Sequence, residues 1–503
     1  MINTRRVFSQ PTNGILLMVK LSTALAVAII LIILGIGMWY SFPFWDDAWL
    51  YLLVREHGSG AIKGSILDRP LVGILISSVW ALGLLPTIIL SLALWAVLGF
   101  LAARLLTTLF PSVEGYGPLC MVLTVSPVLT KCHLAIFNVT STALIAVILG
   151  YLGLLVIRSY ITFGLERYLF LILGLVLFAL GVSISEYAIP VALITLVLLI
   201  PYIGNKQSRR PPVKAIALLA GVTVLSYAFT AFRGRPNTSP LYPFHKFKGM
   251  LKNLPFTLVG SVWQSLIGAY AESLGYLSQL SLLNKPAILC MILGVVISLL
   301  LFGACCRIEA PKWNVLAIPL AALLIGILPL CLMYRIPYPN TATRFLLPMM
   351  PLASAMFVAL LAKAFHDKFV PVILVGLICA SAAGQLAYTS ISQRRDMDRY
   401  SQALREDVAK SDHLVIAVLT AKGSEGSEES DYMLTGTIAR DWPLELEKKF
   451  WAYSEDKAVK ELGPRDHCRI ESFTRDIRMV HRSSPVDKVI MVSEDGSTEP
   501  YCK

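Results

Sequence analysis

PLVGILISSVWALGLL, residues 70–85, is the stretch whose reading decides how this chain folds. It is apolar from end to end, and if it crosses a bilayer every later loop changes sides. Other apolar runs long enough to span lie near 15–40, 86–103, 116–131, 138–157, 168–184, 187–203, 213–232, 286–304, 314–333, 344–362 and 369–388. Counting Lys and Arg in the turns decides between the two topologies. With 70–85 lying in the interface, the cytoplasmic turns are AARLL (102–106), VIRSYITFGLERY (156–168), GNKQSRRPPVK (204–214), CCRIEAPKW (305–313) and KAFHDK (363–368), and every one is basic. With 70–85 crossing, the strongly basic 204–214 turn moves outside, against the rule. The preferred reading has about eleven spans, an external loop 41–85 that contains a membrane-lying helix, and an external tail.

Composition agrees. Of 503 residues, 56% are hydrophobic and 15% charged, with a mean hydropathy of +0.68. Soluble domains carry about 25% charged residues, so a large soluble enzyme is excluded. The charge is split along the chain. Residues 391–503 hold 18 Lys and Arg against 22 Asp and Glu, whereas residues 1–390 hold 26 against 10. That divides a basic membrane body, 1–390, from a mildly acidic soluble domain, 391–503. The run after MINTRR is too long for a signal-peptide core and lacks a small-residue cleavage site, so it reads as a retained first span with Arg5 and Arg6 in the cytoplasm.

Four of the ten acids in 1–390 fall in the first loop: Asp46, Asp47, Glu56 and Asp68. In SFPFWDDAWLYLLVREHG (41–58), Pro43 stops the first span and Asp46 or Asp47 can cap a new helix that Gly58 ends. Asp47, Tyr51 and Arg55 recur every fourth residue as a polar stripe, and Trp45 and Trp49 suit the headgroup zone. ILDRPL returns Asp68 and Arg69 to the same level. On the same side lie cations that break the positive-inside rule, among them Arg233, Arg235, Arg335 and Arg344. A lipid phosphate gripped by guanidinium forks would explain them; snorkelling of stray side chains is the plainer account of any one. A carboxylate against an apolar wall, facing such cations, can act as general base toward a hydroxyl or amine, while its neighbour positions it or holds a divalent cation. Simple capping of the helix by the Asp pair is the plainer reading.

A first span, an external acidic pair, a short helix, a Gly and then DRPL resemble the GT-C superfamily of polyprenyl-phosphate-sugar glycosyltransferases. DDAWLYLLVREHG…DRPL is similar both to the protein O-mannosyltransferase and aminoarabinose transferase branch and to the phage-type serotype-converting glucosyltransferases. RFLLPMMP (344–351) resembles a late-span start in many members. The resemblance covers about residues 1–390. It implies a GT-C-like body that moves a sugar from a polyprenyl-phosphate donor to an extracytoplasmic glycan, lipid or protein, in cell-envelope polysaccharide biosynthesis at the inner membrane. It implies Asp46 or Asp47 as base, with Asp46 preferred, and Arg69 and Arg344 at the phosphate or in structural contacts. Tyr51, Arg55, Asp68, Glu186, Arg233, Arg235 and Arg335 complete the expected substrate-binding set. The sequence departs from the first branch at Asn138 and Glu186, so Asp47 or Glu186 is the candidate ligand should a divalent metal be used; no other cofactor is expected. Rival readings are a flippase or transporter of a lipid-linked glycan, or an O-antigen-type ligase or polymerase.

No Walker loop, GxGxxG or metal-spaced Cys/His set occurs, which leaves cytoplasmic nucleotide use unsupported. The tail contains two β-branched runs, HLVIAVLT (413–420) and DKVIMVS (487–493), separated by polar helical-looking stretches such as WPLELEKKFWAYSEDKAVKEL (442–462), which gives a small α/β domain. Cys468 and Cys502 are a candidate disulfide if the tail is external.

Overall fold

The computed structural model describes residues 13–43, 46–58, 60–65, 70–128, 137, 140–163, 168–185, 187–203, 212–233, 254–255, 257–279, 285–305, 309–333, 342–365, 367–420, 431–465, 472–477, 480–493 and 495–502. The chain is mostly helical. It opens with α1 (Asn13–Ser41), α2 (Asp46–His57), α3 (Gly60–Ser65), α4 (Pro70–Ala81) and α5 (Leu84–Leu109). Among the described residues, five helices are long and apolar enough to cross a membrane: Leu17–Ser41, Leu84–Leu109, Thr142–Thr162, Leu346–Ala364 and Phe369–Lys410. Six more apolar helices among the described residues are shorter, including Leu71–Ala81, Tyr168–Ile184 and Trp313–Leu328.

α4 occupies most of the stretch 70–85 and is short. Its 12 residues rise about 18 Å, well short of the ~30 Å hydrocarbon layer. Gly83, with φ at +86°, then turns the chain into α5. One face of α4 packs through Val72 and Ile76 on Leu50, Leu53 and Ile62 of α2 and α3, so the first loop has a small core of its own.

The run 116–131, expected as a span, is α-helical over Gly117–Val125, and its residues 129–131 lie outside the described residues. Ser126 precedes Pro127 and is extended (φ −71°, ψ 144°), because a residue before proline is pushed out of the α region.

Hydrogen bonds collect the basic turns at one end of the bundle. Arg158 donates to the Thr108 carbonyl and the Tyr202 hydroxyl; Glu309 N–H reaches Ser112 O; Tyr116 reaches Asp367 O; Lys368 bonds Cys305 O. At the opposite end Ser41 Oγ donates to Ser390 Oγ at 2.6 Å, so α1 and the helix Phe369–Lys410 leave the apolar layer together. Helix Lys285–Ala304 runs against both: Gly303 lies beside Ser22, and a Cβ on Gly376 would come within 3.1 Å of the Gly294 carbonyl. Small residues allow such close helix approach where lipid gives no hydrophobic drive.

The 42-residue helix Phe369–Lys410 passes through residue 390 without a break and carries the chain into the tail domain. There β1 (Leu414–Leu419), β2 (Phe450–Ser454), β3 (Ser472–Ile477), β4 (Val480–Val492) and β5 (Thr498–Pro500) form a sheet of order β2-β1-β4-β3, with β5 on β4. β1 lies parallel to β2 and β4; β3 and β5 are antiparallel to β4. The two β-branched runs are strands, as the sequence reading expects. The stretch 442–462 differs from its helical reading: FWAYS is β2, set between the helices Leu444–Glu447 and Glu455–Leu462. A parallel strand covered on both faces shows no alternation, which hides it in a polar neighbourhood. Cys502 is disulfide-bonded; Cys468 lies outside the described residues.

Candidate functional site: the first-loop helix

α2 begins at the acidic pair and ends where the sequence places its stop. Gly58 takes φ +77°, and its N–H closes on Val54 O at 2.8 Å, an αL termination that only Gly adopts without cost. Asp47 is fully buried. Its Oδ2 accepts the backbone N–H of Phe137 at 3.0 Å, which ties α2 to the chain leading into the fourth apolar run. The Phe137 ring in turn belongs to an aromatic cluster. Trp80 of α4 lies 4.0 Å from Phe137, Phe42 packs 5.6 Å from the same ring, and Phe42 meets Tyr51 edge-on at 5.7 Å. The expected setting, a carboxylate beside apolar surface, is therefore present for Asp47. Asp46 is the first residue of α2, and its side chain lies outside the described residues.

The other two members of the stripe face the tail domain. Tyr51 donates its hydroxyl to Arg440 O at 2.6 Å, and burial, helped by the nearby Glu447, pushes its phenol well above the ordinary range. Arg55 donates to Trp442 O at 2.6 Å and pairs through Nε with the fully buried carboxylate of Glu447 at 3.0 Å. Arg440 completes the clamp from above. Its Nη1 bonds the carbonyls of Trp39 and Phe42 at 2.9 and 3.2 Å, capping the end of α1 where the helix dipole favours a cation. Burial and the Arg394 charge lower its pKa. Sequence reasoning missed Arg440, Trp442 and Glu447; no local pattern singles them out, since their partners lie some 390 residues away.

Between α2, α4 and the tail domain opens a cleft of about 720 Å³, lined by Tyr51, Arg55, Trp80, Arg405, Asp441 and Trp442, among others. Of the expected set, Tyr51 and Arg55 line this cleft, while Asp47 lies buried on the same helix and is not among its lining residues. Asp68, Arg69, Glu186, Arg235 and Arg335 lie outside the described residues; Arg233 and Arg344 sit on helix Pro212–Arg233 and on the 3-10 turn Ala342–Met349, with side chains also outside them. Among the described residues no three His, Cys, Asp or Glu side chains gather as a metal site. Asp47 already spends one oxygen on Phe137 N–H, so the described donors alone do not form a divalent-cation shell. No protein-family model, curated protein or solved structure matches the chain.

Proposed function

We propose that this chain is an integral-membrane glycosyltransferase that moves a sugar from a polyprenyl-phosphate donor to an extracytoplasmic acceptor. The observation that carries the reading is the setting of α2. A helix headed by two Asp lies at the end of the bundle opposite the basic turns, with Asp47 buried and bonded to Phe137 N–H and a cleft opening farther along the same helix at Tyr51 and Arg55. On this reading one Asp, Asp46 by preference, takes the proton from the acceptor hydroxyl or amine as that atom attacks the anomeric carbon. The sugar's bond to phosphate breaks and polyprenyl phosphate leaves. The second Asp orients the first through the backbone of α2. Cations at the same end, Arg55 and Arg405 at the cleft with the expected Arg69, Arg233, Arg235, Arg335 and Arg344, balance the phosphate charge. The basic turns at the far end face the cytoplasm by the positive-inside rule, which puts α2 and the tail outside. The Cys502 disulfide supports that side, since disulfides persist in oxidising compartments.

The test is transfer by the purified protein from polyprenyl-phosphate sugars, followed by mass spectrometry. Donor-dependent transfer lost in Asp46→Asn supports the proposal. Bilayer translocation of a lipid-linked glycan without transfer would point to the flippase reading instead.

A further inference from the structure

Where the basic turns gather, some cations are spent on the protein. Arg158 donates to the Thr108 carbonyl and the Tyr202 hydroxyl. Lys368 bonds the carbonyls of Phe302 and Cys305, and its Nζ lies 4.1 Å from the Phe302 ring centroid. Asp367, the acid beside it, caps the next helix by accepting the N–H groups of Phe369 and Val370. Lys312 and Lys363 differ. Lys312 is exposed and Lys363 half-buried, and neither ammonium pairs with a carboxylate among the described residues.

One indole joins the two lysines. Lys363 Nζ lies 5.4 Å from the centroid of the Trp313 ring, and Lys312 is the residue before Trp313. Lys363 sits in the last turn of the span Leu346–Ala364, and Trp313 opens the apolar helix Trp313–Leu328. Both elements leave apolar sequence here, which sets the two ammoniums at headgroup level. Trp313 is 66% exposed, as an interfacial aromatic is. Along the helix into the apolar layer, Ala317 and Leu320 follow it at four and seven residues, on one face, and both are exposed. Snorkelling accounts for either lysine alone. The helix dipole favours Lys363 at a C-terminus but disfavours Lys312 at the opposite pole. Two unpaired ammoniums beside one open indole call for an anion.

We infer that Lys312 and Lys363 hold the phosphate of an anionic phospholipid, whose acyl chain lies along Trp313, Ala317 and Leu320. The source is the bilayer leaflet at this end. A free phosphate would meet the charge alone, whereas a lipid also brings the apolar chain that the exposed track takes. Basic side chains between helices at the cytoplasmic face bind anionic headgroups in this way. The inference stands apart from sugar transfer, because it uses no residue of α2 or of the tail domain.

The experiment titrates delipidated, detergent-purified full-length protein with dioctanoyl phosphatidylglycerol, zwitterionic dioctanoyl phosphatidylcholine or inorganic phosphate. It reads the rise in Tm, since a ligand of the native state raises it. Phosphatidylglycerol should stabilise the wild type at concentrations where phosphatidylcholine and inorganic phosphate have no effect. K312Q/K363Q should need about tenfold more phosphatidylglycerol for the same shift, while K312R/K363R, which keeps the charge, should stay close to wild type. K20Q/K214Q removes two exposed lysines from α1 and the helix Pro212–Arg233 at the same end, and should leave the titration unchanged. If K312Q/K363Q does not fold, the single K312Q gives the same comparison, at about threefold. Equal stabilisation of wild type and the Gln variant overturns the inference. So does an equal weakening by K20Q/K214Q, or an equal shift from phosphatidylcholine or inorganic phosphate.

Discussion

Asp47 and Asp46 are neighbours with separable roles, because they differ by about 100° around α2. Asp47 is buried and accepts Phe137 N–H. Asp47→Ala leaves that N–H without its acceptor and should cost about 1–3 kcal/mol of stability, read from denaturant or thermal unfolding in detergent. Asp47→Asn keeps an oxygen for the bond and should cost less. Asp46→Asn should leave stability unchanged and cut transfer by about 10²–10⁴-fold, the range for a lost general base. A stability loss in Asp46→Asn as large as in Asp47→Ala would reverse this assignment. The acidic pair, the stripe it heads and its apolar setting were legible in SFPFWDDAWLYLLVREHG. The partners of the stripe were not, because the Arg440 and Trp442 carbonyls and the Glu447 carboxylate reach it only through the fold.

α2 is clamped to the tail domain by the Arg55–Glu447 pair, the Tyr51 bond and Arg440. Arg55→Leu removes a charge partner of the buried Glu447 carboxylate, and about 1–3 kcal/mol of docking should be lost, less than for a fully buried pair since Arg55 is about a third exposed. Hydrogen exchange over α2 should quicken in Arg55→Leu and in Glu447→Gln and recover in part in R55L/E447L; recovery absent from the double variant would mean that the pair is not coupled. Tyr51 sets a pH limit of known sign. Its phenol is held protonated in the fold, so its contribution is whole below the unfolded value of about 10 and fades as pH rises above it. The docked α2 should therefore keep its exchange protection through neutral pH and lose it above about pH 10; loss near pH 7 would exclude Tyr51 as the cause. Among the elements, Gly58 and the β-branched runs announced their roles. β2 and the break at Ser126 did not, the first because burial on both faces erases alternation, the second because Pro127 overrides an apolar pattern.

At the scale of the whole molecule, the basic turns meet at one end and the first loop meets the tail domain at the other. The count of Lys and Arg expects those turns on one side of a membrane, and the docking of tail on loop had no sequence signal. His57→Cys and Asp412→Cys, each made with the free cysteines removed, should both react with an impermeant thiol reagent on intact cells. Lys312→Cys should react only after lysis. Labelling of one of the first two without the other would break the fold described, and a full exchange of the pattern would invert the assigned sides.

The central claim is that this end of the molecule transfers a sugar, and the Asp46→Asn, Asp47→Asn double variant tests it most directly. Purified wild type and double variant are given the same polyprenyl-phosphate sugar and acceptor, and product is counted by mass spectrometry beside a donor-binding measurement. The account predicts wild-type transfer, a double variant that still binds donor, and a rate at least 10²-fold lower. Near-normal transfer by the double variant would contradict it.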